Sequence, residues 1–180
     1  MFFQVSKTER KKAKTAHEVF MLNLVISHLF MAPASIALQI GVMGFLIPLV
    51  FSLSIIAFIS WRSKQLANQS SWFVHTHWRL AAKRTRLLLI AYVISAGIIA
   101  IGFFVAANTD VKTTQDIMLT IFSRLAVVPV LIMVMICFVL ESGSIYQTTR
   151  GEVPDNCIKH FPAPEELQSS IEILIDQKED

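Results

Sequence analysis

Three long apolar runs constrain this chain more than any other feature of its sequence. They cover residues 18–60, 87–107 and 117–140, and short, strongly charged segments separate them. A helix needs about 20 apolar residues to cross the hydrocarbon core of a bilayer. The runs are therefore long enough to span a membrane, and the first is roughly twice as long as one crossing requires.

The first run contains a natural break. Gln39, Gly41 and Gly44 interrupt its apolar residues, and Pro48 follows within the first turns of the next helix. The sequence therefore predicts an all-α integral membrane protein, a four-helix bundle made of two transmembrane hairpins. The predicted spans are residues 18–39, 44–61, 87–107 and 117–141.

Composition agrees with this class. Of 180 residues, 54% are apolar and only 16% are charged, whereas an ordinary soluble domain has about 25% charged residues. A soluble enzyme domain, a disordered chain and a disulfide-stapled secreted module are excluded. The two cysteines, Cys137 and Cys157, show no metal-ligand spacing and form no disulfide framework.

Charge is segregated along the chain and predicts its orientation. Residues 1–16 carry five cations and one acid, residues 61–86 carry six cations and no acid, and residues 142–180 carry three cations and eight acids. Cytoplasmic segments of membrane proteins carry an excess of Lys and Arg. We therefore expect a multi-pass protein of the bacterial inner membrane with both termini in the cytoplasm. The predicted organisation is a basic N-tail (1–16), a first hairpin (17–61), a basic Trp-rich loop (62–86), a second hairpin (87–141) and an acidic tail (142–180).

A cleavable signal is the alternative for the N-terminal segment. The basic start and the sequence Ala32-Pro33-Ala34 resemble such a signal, but the apolar run holds Asn23 and His28 and continues past Ala34. Cleavage would leave three spans and the remaining topology unchanged.

The basic loop carries all three tryptophans. Indole rings prefer the headgroup layer, and residues 72–86 place cations on one helical face and aromatic side chains on the other. This pattern predicts an interfacial helix on anionic lipid that runs into the third span, either as a simple anchor or as a sensor of lipid or a partner. Phospholipid explains the cations better than nucleic acid does, so no nucleic-acid partner is expected. The predicted headgroup residues are His75, Arg79, Lys83, Arg86, Trp61, Trp72 and Trp78.

Polar groups inside the spans are costly and are functional candidates. Asn23 and His28 lie in the first span, and interhelical hydrogen bonding is the favoured role of His28. Arg124 lies in the fourth span and either reaches the headgroups or faces a cavity. Only His28 is deep among the histidines, which disfavours haem.

No cofactor, metal site or catalytic residue is predicted. His75 and His77 are two residues apart and point to different sides of a helix, so they do not share a metal. Glu18 and Glu141 lie near the predicted cytoplasmic boundary, where Glu18 pairs with Lys14 at i−4. No phosphate-binding loop or nucleophile motif is present, so an enzyme is not expected.

The acidic tail predicts a linker at 142–164 and then an amphipathic helix from Pro164. Its apolar stripe follows helical spacing, and its first-turn acids suit the helix dipole. The stripe is expected to dock either on the basic segment 72–86 of this chain or in the groove of a partner protein. The predicted docking residues are Leu167, Ile171, Leu174, Ile175, Glu165 and Glu166.

One short motif resembles a known family. Phe73, Val74, His77 and Ala81, with Arg84-Thr85 beyond, match a motif of small bacterial four-helix membrane proteins of unknown function, which are grouped near the chloroplast inner-envelope translocon channel proteins. The similarity covers about a dozen residues, and the basic loop and acidic tail depart from it. The resemblance implies a small four-helix membrane protein, part of a transport or translocation assembly, in which His77 has a role.

The functional expectation is a non-enzymatic accessory or scaffold protein of a membrane complex, whose acidic tail helix docks a partner. Protein partners or a homo-oligomer, and anionic lipid headgroups, are the expected contacts. The alternative is a small oligomeric transporter or channel that uses Arg124, His28 and proline kinks. A membrane-embedded enzyme or haem subunit is the third class.

Overall fold

The structure is a computed structural model that describes residues 1–38, 43–165 and 167, without the side chains of Ile36 and Met43. Its described part is helical, with an isolated antiparallel bridge between Phe2 and Glu152 and no strand. A π-helical segment, Leu24–Met31, continues from α1, and a 3₁₀ turn, Leu66–Asn68, follows α3. The α-helices are α1 (Lys7–Asn23), α2 (Ala32–Ala37), α3 (Met43–Gln65), α4 (Trp72–Ala107), α5 (Lys112–Leu125), α6 (Val127–Arg150) and α7 (Asp155–His160).

Four helical stretches within the described residues are long and apolar enough to cross a membrane. They contain 29, 25, 36 and 39 residues. In the most apolar window of each stretch, at most 33% of the residues are buried inside the protein. The exposed apolar surface is of the kind that lipid covers. The prediction of an all-α protein with four transmembrane helices is confirmed. The stretches are Lys7–Ser35, Gly44–Asn68, Trp72–Ala107 and Lys112–Arg150.

Helix ends follow local chemistry. Ser6 caps α1 in a capping box, because its hydroxyl accepts from the Glu9 amide while the Glu9 carboxylate accepts from the Ser6 amide. Gly151 ends α6 with φ +75°, and the amides of Gly151 and Glu152 donate to Thr148 and Gln147. These two bonds form a Schellman motif, which glycine accommodates. The predicted break at 39–44 falls mostly on residues 39–42, which lie outside the described residues.

The chain divides into two compact units. One contains Met1–Lys83 together with the chain from Val139 onward, and the other contains Arg84–Phe138. In the first unit, the amide of Phe3 donates to Gly151 and that of Val153 donates to Met1. The N-terminal segment is thereby paired with the chain that follows α6. In the second unit, α4 and α5 approach each other closely at Gly102 and Phe122.

Two helices extend beyond the apolar runs of the sequence. Residues 72–86 are the first turns of the continuous helix α4, so the predicted basic helix and the third span form a single helix. At 1.5 Å per residue its 36 residues extend about 54 Å, beyond the ~30 Å of a bilayer core. Residues 142–150, predicted as a linker, continue α6. Buried side chains of α6 fix this extension, although its Ser, Gly and Thr residues have low helix propensity.

Candidate functional site

Four buried polar side chains from α1, α4 and α6 meet in the first unit. His17 Nδ1 lies 2.6 Å from Glu141 Oε2, and His17 Nε2 lies 3.0 Å from His77 Nδ1. The same nitrogen of His77 lies 3.2 Å from Thr148 Oγ1. All four residues have a relative exposure of 0%. We call His17, His77, Glu141 and Thr148 the histidine–glutamate cluster.

Helical spacing brings these residues to the same place. On α6, Glu141, Ser144 and Thr148 recur three and four residues apart, so they form one stripe, and all three are buried. On α1, His17 shares its buried face with Phe20 and two small residues of the preceding turn. The two imidazole rings meet edge to face, with centroids 5.2 Å apart and an interplanar angle of 86°.

The four side chains of the cluster depend on one another to remain buried. A buried ionisable group is costly unless a close partner and further hydrogen bonds compensate its desolvation. The 2.6 Å contact between His17 and Glu141 has the length of a charge-assisted hydrogen bond. Removing one partner of such a buried pair costs about 3–5 kcal/mol. The cluster therefore joins three helices and is the strongest candidate for chemistry in the described chain.

Sequence reasoning missed this cluster. Glu18 pairs with Lys14 at 2.8 Å, as predicted, but Glu141 is inside the protein and contacts His17. Its partner is 124 positions away in the chain, and periodicity within one helix does not reveal such a contact. The polar stripe of Glu141, Ser144 and Thr148 was the available signal. The faint family resemblance had singled out His77 alone.

The polar residues predicted for the first span lie in or beside its π-helical segment. Asn23 Nδ2 donates to Ser52 Oγ at 3.0 Å and thus joins the first span to α3, while Ser27 Oγ donates to Asn23 Oδ1 at 2.9 Å. His28 is also buried, with 7% exposure. Asn23 therefore makes a hydrogen bond between two helices, whereas the interhelical role predicted for His28 stays a prediction.

Arg124 lies at a helix end. It is exposed in the last turn of α5, and α5 ends at Leu125, one residue before the break at Ala126. The neighbouring hydroxyls of Thr120 and Ser123 donate to carbonyls of their own helix.

The C-terminal segment returns to the start of α4 through one aromatic side chain. The ring of Phe161 stacks on Trp72 with centroids 6.2 Å apart and meets His75 edge to face at 5.2 Å. The Arg79 guanidinium lies 5.0 Å from the centroid of the Phe161 ring, within the range of a cation–π interaction. Phe3 contacts Trp72, with centroids 5.0 Å apart. We call Phe3, Trp72, His75, Arg79 and Phe161 the Phe161 clamp.

The predicted headgroup residues have different environments. Trp78 is only 5% exposed, and its Nε1 donates to the Lys12 carbonyl at 3.2 Å. It also contacts Phe58 of α3, with ring centroids 6.3 Å apart. Trp72 and His75 contact Phe161 of the same chain. These three side chains therefore pack on protein. The residues of the set that remain exposed are Trp61, Arg79, Lys83 and Arg86.

The structure describes little of the predicted tail helix. Glu165 is exposed, Leu167 is half-buried, and the Leu167 amide donates to the Pro164 carbonyl at 3.0 Å. Ala163, just before this turn, is buried with 5% exposure. The other predicted docking residues, Glu166, Ile171, Leu174 and Ile175, lie outside the described residues.

Neither ligand chemistry nor comparison with known proteins identifies this protein. Within the described part of the chain, no group of three or more His, Cys, Asp or Glu side chains is arranged to hold a metal ion. No family model, curated protein or solved structure matches this chain. Fold and site define an all-α membrane protein with four candidate spans, a buried histidine–glutamate cluster and an aromatic clamp on its C-terminal segment.

Proposed function

We propose that this protein is a non-enzymatic accessory or scaffold subunit of a membrane complex. It is a multi-pass protein of the bacterial inner membrane with both termini in the cytoplasm. Its acidic tail, residues 164–180, is the element that recruits a partner protein. The Phe161 clamp is the observation that carries this proposal.

The clamp holds the chain just before the tail begins. Phe161 is fixed by Trp72, His75 and Arg79, and Ala163 is buried two residues later. The tail therefore begins at a fixed position beside the helices, next to the exposed cations of α4. A fixed starting position favours a tail that docks on protein over a tail that only keeps the chain in solution.

Charge explains how the tail is used. Residues 164–180 contain six acids and one lysine, so anionic lipid repels them. The exposed Arg79 and Lys83 attract them, and the predicted apolar stripe needs a protein surface to bury it. The tail therefore exchanges between the basic face of α4 and a groove on the partner.

A truncation tests the proposal. The full chain and a chain that ends at Ala163 are tagged, expressed in native membranes and purified in mild detergent, and the co-purifying chains are quantified. We expect the truncated protein to insert normally and to lose its partner. Equal partner recovery by both forms would refute the proposal.

Matched tail variants separate the apolar stripe from the charge. Ile171→Glu with Leu174→Glu disrupts the stripe and keeps the tail acidic, and we expect partner recovery to fall at least tenfold. Glu165→Gln with Glu166→Gln keeps the stripe, and we expect partner recovery to fall less than in the first pair. A tenfold loss corresponds to about 1.4 kcal/mol of binding free energy.

The second candidate function is a small oligomeric transporter or channel. Support comes from the π-helical segment, because π-helical turns are frequent at functional sites and this one carries the buried His28. Flux across liposomes that is lost in His28→Ala or Arg124→Ala would favour this candidate over the scaffold. Absence of flux in the native protein would exclude it.

A further inference from the structure

We propose that the histidine–glutamate cluster is a proton-binding site, in which the pair of His17 and Glu141 holds one proton and His77 transfers it. The inference is independent of the tail and its partner. It depends on the contacts of the cluster and on the number of hydrogens that these contacts accommodate.

The contacts restrict where the hydrogens lie. Thr148 donates its hydroxyl hydrogen to the Ser144 carbonyl at 2.6 Å, so its oxygen presents lone pairs to His77 Nδ1. Between His17 Nε2 and His77 Nδ1, 3.0 Å apart, one hydrogen is shared. It belongs either to His17 or to His77, and the charge of the cluster changes only when a proton also leaves His77.

In the loaded state, the hydrogen belongs to His17. His17 Nε2–H then donates to the lone pair of His77 Nδ1, and His77 carries its own hydrogen on Nε2. The pair of His17 and Glu141 has no net charge, either as imidazolium and carboxylate or as imidazole and carboxylic acid. Electroneutrality favours this state, since an uncompensated charge at 0% exposure is costly.

In the unloaded state, the hydrogen belongs to His77. The His17 Nε2–H bond breaks and the His77 Nδ1–H bond forms, while the His77 Nε2–H bond breaks and that proton leaves the cluster. His17 is then neutral, with Nδ1–H donating to the Glu141 carboxylate. The His77 Nδ1–H group has two acceptors, His17 Nε2 and Thr148 Oγ1. One proton leaves the cluster when it passes from the loaded to the unloaded state, and neither ring is oxidised or reduced.

Several other charged groups of the three helices contact groups outside the cluster. The titratable groups within hydrogen-bond distance of His17 are Glu141 and His77. On α1, Lys14 pairs with Glu18, and Arg10 donates to the Thr149 carbonyl at 3.3 Å. Four further charged or titratable groups take other partners: His75 and Arg79 face Phe161, Arg150 faces Phe2 and Tyr146, and Glu9 binds Ser6.

Nitrogen NMR tests the transfer directly. The full chain, labelled with ¹⁵N in its histidine rings, is studied in lipid nanodiscs between about pH 5 and 8, the range in which histidines change charge. As the pH falls, we expect His17 Nε2 to gain its hydrogen and His77 Nδ1 to lose its hydrogen in one shared step. Independent titration of the two nitrogens, or no change at either, would overturn the proposal. The exposed His160 lies outside the cluster and is the internal control.

Two variants assign the roles. Glu141→Gln keeps the size of the side chain and removes its charge, so we expect the shared step to disappear. Thr148→Val removes the second acceptor of His77, so we expect the fraction of His77 in the Nδ1–H tautomer at alkaline pH to fall. A shared step that persists unchanged in Glu141→Gln, or an unchanged tautomer fraction in Thr148→Val, would contradict the assigned roles. Thr148 is thus a positioning residue for the His77 tautomer.

Discussion

Gly143 inside α6 and Gly151 just after its last residue provide a matched test of the packing at the end of this helix. Gly151 has φ +75°, and a Cβ placed on it would lie 2.7 Å from the carbonyl oxygen of Phe3. Gly143, eight positions earlier, lies in the helix interior, and a Cβ there meets nothing within 4 Å. The same substitution, Gly→Ala, should therefore have opposite effects at the two positions.

The expected magnitudes follow from the geometry. A left-handed conformation costs a non-glycine residue about 1–2 kcal/mol. The displaced Phe3 carbonyl strains the neighbouring bond from the Phe3 amide to Gly151, 2.8 Å long, which contributes about 1 kcal/mol. Reduced entropy of the unfolded chain offsets up to about 1 kcal/mol. Gly151→Ala should thus lower the free energy of unfolding by about 1–3 kcal/mol, and Gly143→Ala should raise it by about 0.5–1 kcal/mol.

Unfolding in detergent, followed by tryptophan fluorescence, measures both variants. For a chain of this size, 1 kcal/mol changes the melting temperature by about 2–4 °C, so the two variants should differ by several degrees. Hydrogen exchange at the Phe3 and Val153 amides should accelerate in Gly151→Ala, because their partners move. If Gly151→Ala is as stable as Gly143→Ala, the assigned Schellman motif and its contact with Phe3 are wrong.

Three further predictions concern other parts of the chain. Gly102→Ala should destabilise the protein by about 1–3 kcal/mol, because the new Cβ would lie 2.5 Å from Phe122 Cβ. The control is Gly97→Ala, where a new Cβ meets nothing within 4 Å. Equal unfolding curves for the two variants would contradict the close approach of α4 and α5. Trp78→Phe should lower the free energy of unfolding by about 1 kcal/mol, because it removes the indole donor to a carbonyl of α1. An unchanged free energy of unfolding in detergent would argue against this hydrogen bond. A thiol reagent that does not cross membranes should label Cys157 in inside-out vesicles and not in intact cells; labelling in intact cells would reverse the predicted orientation.

The sequence alone determined the class and the helices. Apolar runs separated by charge predict four spans because only a helix satisfies its own backbone hydrogen bonds in lipid. This signal is local, so length and hydropathy were sufficient.

The tertiary structure decided which polar residues meet. Glu141 and His17 are both near the ends of apolar runs, and each is an ordinary boundary residue when its own helix is considered alone. Their contact depends on the relative position of α1 and α6, which periodicity within a helix does not specify. Trp78 illustrates the same limit, because an indole suited to the headgroup layer is equally suited to a buried site that offers a carbonyl acceptor. Neighbouring residues in the sequence determine where helices form, whereas the buried cluster consists of residues that only helix packing brings together.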